Sequence, residues 1–258
     1  MKHEVVARLA ERTNRFGKFV RRRITINRAH FARSRNRNTR FVAVTGSSGK
    51  TTLCGMLDHS LSGVGPTASR ISQNTLPTIA PFIRDLGNQH DFAVVETAID
   101  ATDRMLHLAK LIRPHIAVIT MIRLEHKKTM PNLDIIAREK GYLIEHMAPG
   151  GIAVLNADDE QTDGLAQRAN GKVVTFGQSA DADYCAVEIS ADYPDRLSLS
   201  VCNSELRLKL QTQLVGAHFW LPVTAAVAVA HQLGVPSEII ADRIASFETV
   251  VGRCSVLH

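Results

Sequence analysis

Long apolar runs and a secretion signal are both lacking from this sequence. No hydrophobic stretch approaches the roughly 18 to 20 residues that a membrane-spanning helix requires. The N-terminal segment, MKHEVVARLAERTNRF, contains no apolar core followed by a small-residue cleavage site. The sequence therefore predicts a protein without a membrane span that stays in the cytoplasm.

Closely spaced cysteines are lacking as well. The four cysteines are scattered along the chain without a C-x-x-C pair: Cys54, Cys185, Cys202 and Cys254. This spacing argues against a disulfide framework and against a zinc site. We expect all four to be reduced and mostly structural.

Acidic residues are absent between positions 12 and 40, where the chain has eleven lysines or arginines. The rest of the chain carries more acidic than basic residues, so the net charge of +6 comes from this segment. We expect residues 1–40 to form a solvated, partly helical basic arm that packs on its own domain. Such an arm can also bind anionic lipid or an acidic partner. Nucleic-acid binding is not expected, because few aromatic residues are interleaved with the basic ones.

Strand-like and helix-like segments alternate after the arm, in a chain of 258 residues that is 45% apolar. This rhythm predicts an α/β fold of the P-loop NTPase type, with a mostly parallel sheet and helices on both faces. Residues 183–212 alternate apolar and polar side chains and predict a small antiparallel meander. The predicted strands are 41–45, 92–96, 115–120, 152–155 and 172–176; the predicted helices are 50–61, 101–112, 133–147, 161–169, 221–233 and 237–246; residues 62–81 are predicted to be loop.

A phosphate-binding loop lies between the first strand and the first helix of this pattern. Its glycines let backbone N–H groups turn toward phosphate oxygens at the positive end of the helix. Lys50 is placed to reach the β- and γ-phosphates, and the Thr51 hydroxyl to ligate magnesium. Val44 stands where the usual signature has another glycine, so the loop is a shortened form. The predicted nucleotide contacts are Gly46, Ser47, Ser48, Gly49, Lys50, Thr51 and Thr52.

Ionisable residues follow the next two predicted strands. Glu96 ends one strand, and His126 follows the other. Because ligands gather at the carboxyl ends of parallel strands, both are expected near the phosphate site. Glu96 is a candidate magnesium ligand. Lys140 lies in the following helix. It becomes a candidate site residue only because it is expected to lie near Glu96 and His126.

The order of these motifs resembles the central, ATP-binding domain of the Mur ligases, which include folylpolyglutamate and cyanophycin synthetases. The resemblance runs from Phe41 to Arg253, and the spacing from His126 to Lys140 is closest to the D-alanyl-D-alanine-adding members. The segments that carry it are TGSSGKTT, VVET, RPHIAVITMIRLEH, AREKG, GIAVLNADDE, GAHFWLPVTAAVAVAHQLGV and a final GR.

The resemblance implies roles for particular residues. Glu96 and His126 match ligands of a second magnesium ion, and Lys140 matches a lysine that carbon dioxide converts to a carbamate. His218 matches the segment near the adenine, and Arg253 an arginine near the nucleotide phosphates. The catalytic residues implied are Lys50, His126 and Lys140, and the metal ligands are Thr51, Glu96, His126 and Lys140. Asn156 and Asp158 match a turn whose role does not follow from the sequence.

The activity implied is that of an ADP-forming ligase. Similar enzymes transfer the γ-phosphoryl group of ATP to a substrate carboxylate, and the amine of an amino acid or peptide attacks the acyl phosphate to form an amide. ATP and magnesium are the implied cofactors.

Several positions depart from the family pattern. Met121 replaces an asparagine after the third strand, and Phe219 and Pro222 replace two asparagines that contact the base. Phe219 or Trp220 could stack on adenine instead, although packing in the core explains both. These departures predict that adenine recognition is altered or weakened.

Not all domains of the family are expected in this chain. Residues 41–258 correspond to the central domain, the arm takes the place of the uridine-nucleotide domain, and the family's C-terminal domain would begin just after Arg253. A ligase of this type would then be a fragment or need a partner that supplies the missing domain. Two alternatives stay open: a nucleotide-binding module that has lost ligation and acts as a regulator or scaffold, and an unrelated P-loop kinase or NTPase.

Overall fold

The computed structural model describes residues 2–99, 101–125, 130–192 and 194–249, with side chains from residue 17 onward. His126 and Arg253 therefore lie outside the described residues. The helices are α1 (Lys2–Arg35), α2 (Lys50–Leu61), α3 (Leu76–Asp85), α4 (Arg104–Ile112), α5 (Leu133–Glu145), α6 (Thr162–Ala166), α7 (Trp220–Gln232) and α8 (Ser237–Ala245). The strands are β1 (Arg40–Thr45), β2 (Thr67–Arg70), β3 (Phe92–Glu96), β4 (Ile116–Ile119), β5 (Ile152–Asn156), β6 (Lys172–Gly177), β7 (Tyr184–Ser190), β8 (Ser198–Cys202) and β9 (Arg207–Gln211).

One nine-stranded sheet organises the fold, in the order β2-β3-β1-β4-β5-β6-β7-β8-β9. All pairs from β2 to β7 are parallel, and β7, β8 and β9 pair antiparallel. The predicted parallel sheet with an antiparallel meander is confirmed. Because β1 lies between β3 and β4, the carboxyl ends of these three strands meet at one edge, where ligands bind in open α/β sheets.

Alternate residues of the buried strands face two separate hydrophobic cores. Val42 and Val44 of β1 face the core that contains α2, α7 and α8. Phe41 and Ala43 face the opposite core, which contains α3, α4 and α5. Burial on both faces explains why these strands are continuous apolar runs, as in most parallel sheets. The helices therefore cover both faces, as predicted.

The predicted loop over residues 62–81 is wrong. This stretch contains β2 and the first turns of α3. The four residues of β2 are small or polar and only half-buried, so they show no hydrophobic period, and the strand is held by parallel pairing with β3. Pro77 stands in the first turn of α3, where a missing N–H costs no hydrogen bond. The other predicted elements exist, with ends that differ by at most three residues.

Helix α1 is anchored at its C-terminal end by Arg33. The guanidinium donates to the backbone oxygens of Ile112 at 2.6 Å and Arg113 at 2.7 Å, and it lies 4.1 Å from the centroid of the Phe41 ring. Burial, together with the charge of Arg113, lowers the pKa of Arg33 to about 10. The basic segment is therefore part of a helix that packs on α3 and α4. Across the described residues, no helix is long and apolar enough to cross a membrane.

Candidate active site

The loop between β1 and α2 is hydrogen-bonded to the residues that follow β4. The Ser47 N–H donates to the Met121 oxygen at 2.9 Å, and the Thr120 hydroxyl donates to the Ser48 oxygen at 2.5 Å. A Cβ on Gly46 would overlap the Thr120 hydroxyl, and the φ of Gly46 is +141°. Gly49 has a φ of +79° immediately before α2. Glycine at both positions thus permits the tight turn that directs the loop around the helix N-terminus.

Lys50 begins α2 and folds back over this loop. Its Nζ donates to the Gly46 oxygen at 2.6 Å. The ammonium therefore lies at the mouth of the loop, where a phosphate chain held by the backbone N–H groups of a helix N-terminus would be bound.

The Glu96 carboxylate meets α2 at the end of β3. Its two oxygens lie 3.2 and 3.1 Å from the Thr51 hydroxyl, and the group is only 2% exposed. The Ser72 N–H and the Asn74 amide donate to it at 2.8 and 3.1 Å. The sequence reasoning missed Ser72 and Asn74 because they fall in the segment predicted to be loop. The Asn-Thr-Leu-Pro sequence, a typical helix start, was the available signal.

Lys140 lies at the same edge, on α5, with its side chain 1% exposed. It forms an ion pair with Glu125, a residue that the sequence reasoning did not single out. Burial lowers the pKa of Lys140 to about 8; Glu125 opposes this shift, and the charge of Lys50 adds to it. Glu125 lines a cavity over the phosphate loop, so its ion pair places Lys140 beside that cavity. The position of His126 lies outside the described residues.

The turn after β5 fastens two neighbouring strands. Asp158 accepts the Gln178 N–H at 2.7 Å and the Ser179 N–H at 2.9 Å, just beyond β6. Asp159 accepts from the Ile122 N–H at 2.7 Å and pairs with Arg123 at 3.2 Å, just beyond β4. The turn therefore positions the chain that leaves β4, a role that the sequence did not reveal.

Asn156 stabilises this turn from the end of β5. Its side-chain oxygen accepts the Asp158 N–H at 3.0 Å, and its backbone oxygen accepts the Thr162 hydroxyl. These two contacts lie within the turn and the start of α6, so Asn156 supports Asp158.

An apolar cavity of about 310 Å³ adjoins the phosphate loop on the side of α7. Met121, Trp220 and Pro222 line it, together with His218 and Phe219. The His218 ring is exposed, and its centroid lies 4.2 Å from that of Phe219. Phe219 is only 4% exposed, so most of its ring serves the core. The three residues that depart from the family pattern therefore line one cavity.

A second, polar cavity of about 240 Å³ lies directly over the loop. Lys50, Thr51, Asn74, Glu96 and Glu125 contribute to its lining. Glu96 has neutral hydrogen-bond donors and forms no ion pair within the described ranges. A buried carboxylate and a hydroxyl beside a phosphate loop fit Mg²⁺, which is commonly held by one or two carboxylates, substrate phosphates and water. The described residues contain no group of three or more His, Cys, Asp or Glu side chains placed to bind a metal.

Comparison with known proteins identifies relatives over most of the chain. It is 31% identical to UDP-N-acetylmuramate–L-alanine ligase from Streptomyces avermitilis over 215 residues, which cover 82% of this chain and 45% of that protein. It is 30% identical to UDP-N-acetylmuramoyl-tripeptide–D-alanyl-D-alanine ligase from Synechocystis over 196 residues, covering 75% and 41%. The chain thus spans less than half the length of these relatives.

The fold agrees with these sequence matches. MurF from Acinetobacter baumannii superposes with a TM-score of 0.87 and 27% sequence identity, over 92% of this chain and 52% of that one. The model of the Mur ligase middle domain matches residues 44–230, which include the phosphate loop, Glu96, Lys140 and His218. The chain therefore belongs to the Mur ligase family, through its middle domain.

Proposed function

We propose that this chain binds MgATP and serves an ADP-forming ligase that joins a carboxylic acid to an amine. The observation that carries the proposal is the meeting of Thr51 and Glu96 beside the phosphate loop. The pair places a hydroxyl and a buried carboxylate where the metal of MgATP would be held.

Thr51 and Glu96 are the proposed ligands of one magnesium ion. We infer that Glu96 also binds a second magnesium ion, together with His126 and a carbamate on Lys140. Bound magnesium would neutralise the charge that develops on the transferring phosphoryl group. The lowered pKa of Lys140 supports the carbamate, because carbon dioxide reacts with the neutral amine. The modification would also convert a buried cation into an anionic oxygen ligand.

The chain's own residues would position the phosphates. The backbone N–H groups between Gly46 and Thr52 would bind them, except that of Ser47, which donates to the Met121 oxygen. The Lys50 ammonium would exchange its contact with the Gly46 oxygen for contacts with the β- and γ-phosphates. A substrate carboxylate oxygen attacks the γ-phosphorus, and the bond to the bridging oxygen of ADP breaks. The amine then attacks the acyl carbon and releases inorganic phosphate. Positioning and charge stabilisation by Lys50 account for most of the chain's contribution.

The adenine would occupy the apolar cavity beside α7. His218 and Trp220 offer ring faces there, and Met121 and Pro222 offer apolar contacts. These groups favour the base by stacking and burial, without the two asparagines of the family pattern. We infer that Arg253 lies near the nucleotide phosphates.

The acceptor and the amine are inferred as chemical classes. The matched relatives are named for UDP-N-acetylmuramate with L-alanine and for a UDP-linked tripeptide with D-alanyl-D-alanine. We infer a carboxylic acid acceptor and an amino acid or peptide amine for this chain. Because the relatives are more than twice as long as the matched region, residues 41–258 are proposed to act as the central domain, with the remaining parts supplied by adjoining sequence or by a partner.

The proposal is tested in two steps. Calorimetry should show ADP binding that strengthens with Mg²⁺ and is lost in Lys50→Ala. ADP release from MgATP, measured with each relative's acid and amine and with the adjoining domain present, should require both substrates. Nucleotide binding without any effect of Mg²⁺ would contradict the proposed site. ADP release that is equal with and without the acid would indicate a simple NTPase.

A further inference from the structure

Helix α1 presents two different faces over its described side chains. One face is turned inward: Ala29, Arg33 and Asn36 are 0%, 9% and 6% exposed. The Asn36 amide donates to the Gly87 oxygen at 2.7 Å, which adds to the contacts of Arg33 with the end of α4. This face is therefore used by the fold itself.

The opposite face carries exposed apolar side chains. Val20, Ile24 and Phe31 are 37%, 48% and 61% exposed. Their spacings of four and seven residues place them on one side of the helix, along about 16 Å of its length. Single exposed apolar residues are common on protein surfaces, but these three lie in one row along the helix. We call these three residues the outer stripe.

Arginines flank the outer stripe. Arg21, Arg28 and Arg35 follow one edge at intervals of seven residues, and Arg23 lies on the other edge. All four are exposed, and none forms an ion pair with an acidic residue within the described ranges. The Arg35 guanidinium lies 5.2 Å from the centroid of the Phe31 ring. Cationic and apolar groups therefore share one surface.

We propose that the outer stripe and its flanking arginines bind an anionic phospholipid surface, with α1 lying in the plane of the interface. A helix that combines an apolar stripe with arginines enters the headgroup region with its apolar side and attracts anionic lipids with its charges. Long arginine side chains can place their stems against acyl chains while their guanidinium groups reach phosphate oxygens.

Other occupants fit this surface less well. A second copy of α1 would bring two rows of arginines together, and like charges oppose such a contact. A nucleic acid would pair with the arginines but would leave aliphatic side chains such as Val20 and Ile24 without a function. An anionic bilayer uses both the charge and the apolar groups.

Membrane binding through this face is compatible with the proposed active site. The outer stripe contributes to neither cavity at the phosphate loop. The face that packs on the domain is the opposite one, so the association requires no unfolding of α1. It would place the nucleotide site beside a membrane surface without a spanning helix.

Vesicle flotation with the full chain tests the proposal. We expect binding to vesicles of phosphatidylglycerol mixed with phosphatidylcholine, and little binding to phosphatidylcholine alone. Replacing Arg21, Arg28 and Arg35 together by glutamine should weaken binding roughly a hundredfold, since each arginine near an anionic surface contributes about fivefold. The double variant Ile24→Glu, Phe31→Glu should weaken it at least about tenfold.

The matched control is Val64→Glu, which changes an exposed apolar residue, 39% exposed, outside α1. It should bind vesicles like the unchanged chain, and all variants should retain the same melting temperature. Equal binding by the double variant would overturn the proposal. So would a dimer that the double variant converts to a monomer, or binding to duplex DNA that is stronger than binding to the anionic vesicles.

Discussion

The hydroxyl of Thr51, on the first turn of α2, lies 3.1 Å from a carboxylate oxygen of Glu96, at the end of β3. The two residues are 45 positions apart in the chain, and the parallel pairing of β1 with β3 brings them together. The contact joins the helix that follows the phosphate loop to the carboxylate proposed to bind the metal. The proposed nucleotide and metal sites are therefore held together by this contact.

Glu96→Gln should weaken ADP binding roughly tenfold in the presence of Mg²⁺ and leave it unchanged when the metal is chelated. The amide keeps most of the hydrogen bonds with Thr51 and Asn74 but loses the negative charge, and a charged contact is worth about 1.5–3 kcal/mol. Calorimetry with and without Mg²⁺ measures the difference. Glu238→Gln, a change at an exposed site on α8, is the control. A variant that lost the same affinity under both conditions would show that Glu96 acts only in packing.

The sequence was sufficient to place the loop before α2 and Glu96 at the end of β3, because both positions follow local rules: glycines before a helix, and a carboxylate at the end of a buried strand. It was insufficient for Ser72 and Asn74, which hold Glu96. Their segment includes a short edge strand of small and polar residues, whose pairing with β3 leaves no periodic signal. The contact of Lys140 with Glu125 was also missed, because it depends on how α5 is placed against the exit of β4.

Gly46→Ala should distort the phosphate loop. The added Cβ would overlap the Thr120 hydroxyl, and a φ of +141° is strained for alanine. Such backbone strain costs about 1–3 kcal/mol before the overlap is counted. We expect a lower melting temperature and at least a tenfold loss of ADP affinity.

Gly164→Ala is the matched control for this change. Gly164 lies within α6, and an added Cβ would meet no atom within 4 Å. Alanine favours helix by up to about 1 kcal/mol over glycine, so this variant should be as stable as the unchanged chain or slightly more stable. Equal behaviour of the two variants would show that the loop tolerates a side chain at position 46.

Carbamate formation on Lys140 should increase as the pH rises through about 8. Burial lowers the pKa of Lys140 to about 8, so the reactive neutral amine appears at a lower pH than for an exposed lysine. Carbon-13 NMR in labelled bicarbonate should show a carbamate signal that is lost in Lys140→Arg and retained in Lys110→Arg. Lys140→Arg should also lower ligase activity roughly ten- to a hundredfold. A signal that persisted in Lys140→Arg would assign the carbamate elsewhere.

His115 should make stability depend on pH in the acidic range. Its Nδ1 accepts the Phe41 N–H at 2.9 Å, and burial, with the charges of Arg33, Arg40 and Arg113, lowers its pKa to about 4. The unfolded chain binds this proton at a pH near 6.5, so its contribution is complete above about 6.5 and is lost progressively as the pH falls toward 4.

The slope from His115 should stay below about 1.4 kcal/mol per pH unit, because the ring is partly exposed. Urea unfolding of the unchanged chain and of His115→Gln between pH 7 and pH 4 isolates the contribution, since all other groups are shared. The variant should lose less stability over this range. Parallel curves for the two proteins would contradict the role of His115.

Asp159 should contribute to both stability and the placement of the chain after β4. Asp159→Ala leaves the Ile122 N–H without its acceptor, and an unsatisfied buried donor costs about 1–3 kcal/mol. Asp159→Asn keeps an acceptor oxygen and should lose less. Asp163→Ala, at an exposed site on α6, is the control for the loss of an acidic side chain.

The two Asp159 variants separate the hydrogen bond from the charge. Urea unfolding reports the lost hydrogen bond, while ADP binding reports whether Ser47, held by the backbone after β4, still forms the loop. If alanine weakens both measurements and asparagine weakens neither, the hydrogen bond to Ile122 positions the loop. If asparagine is as harmful as alanine, the ion pair with Arg123 is the contact that matters, even though the Arg123 side chain is 58% exposed.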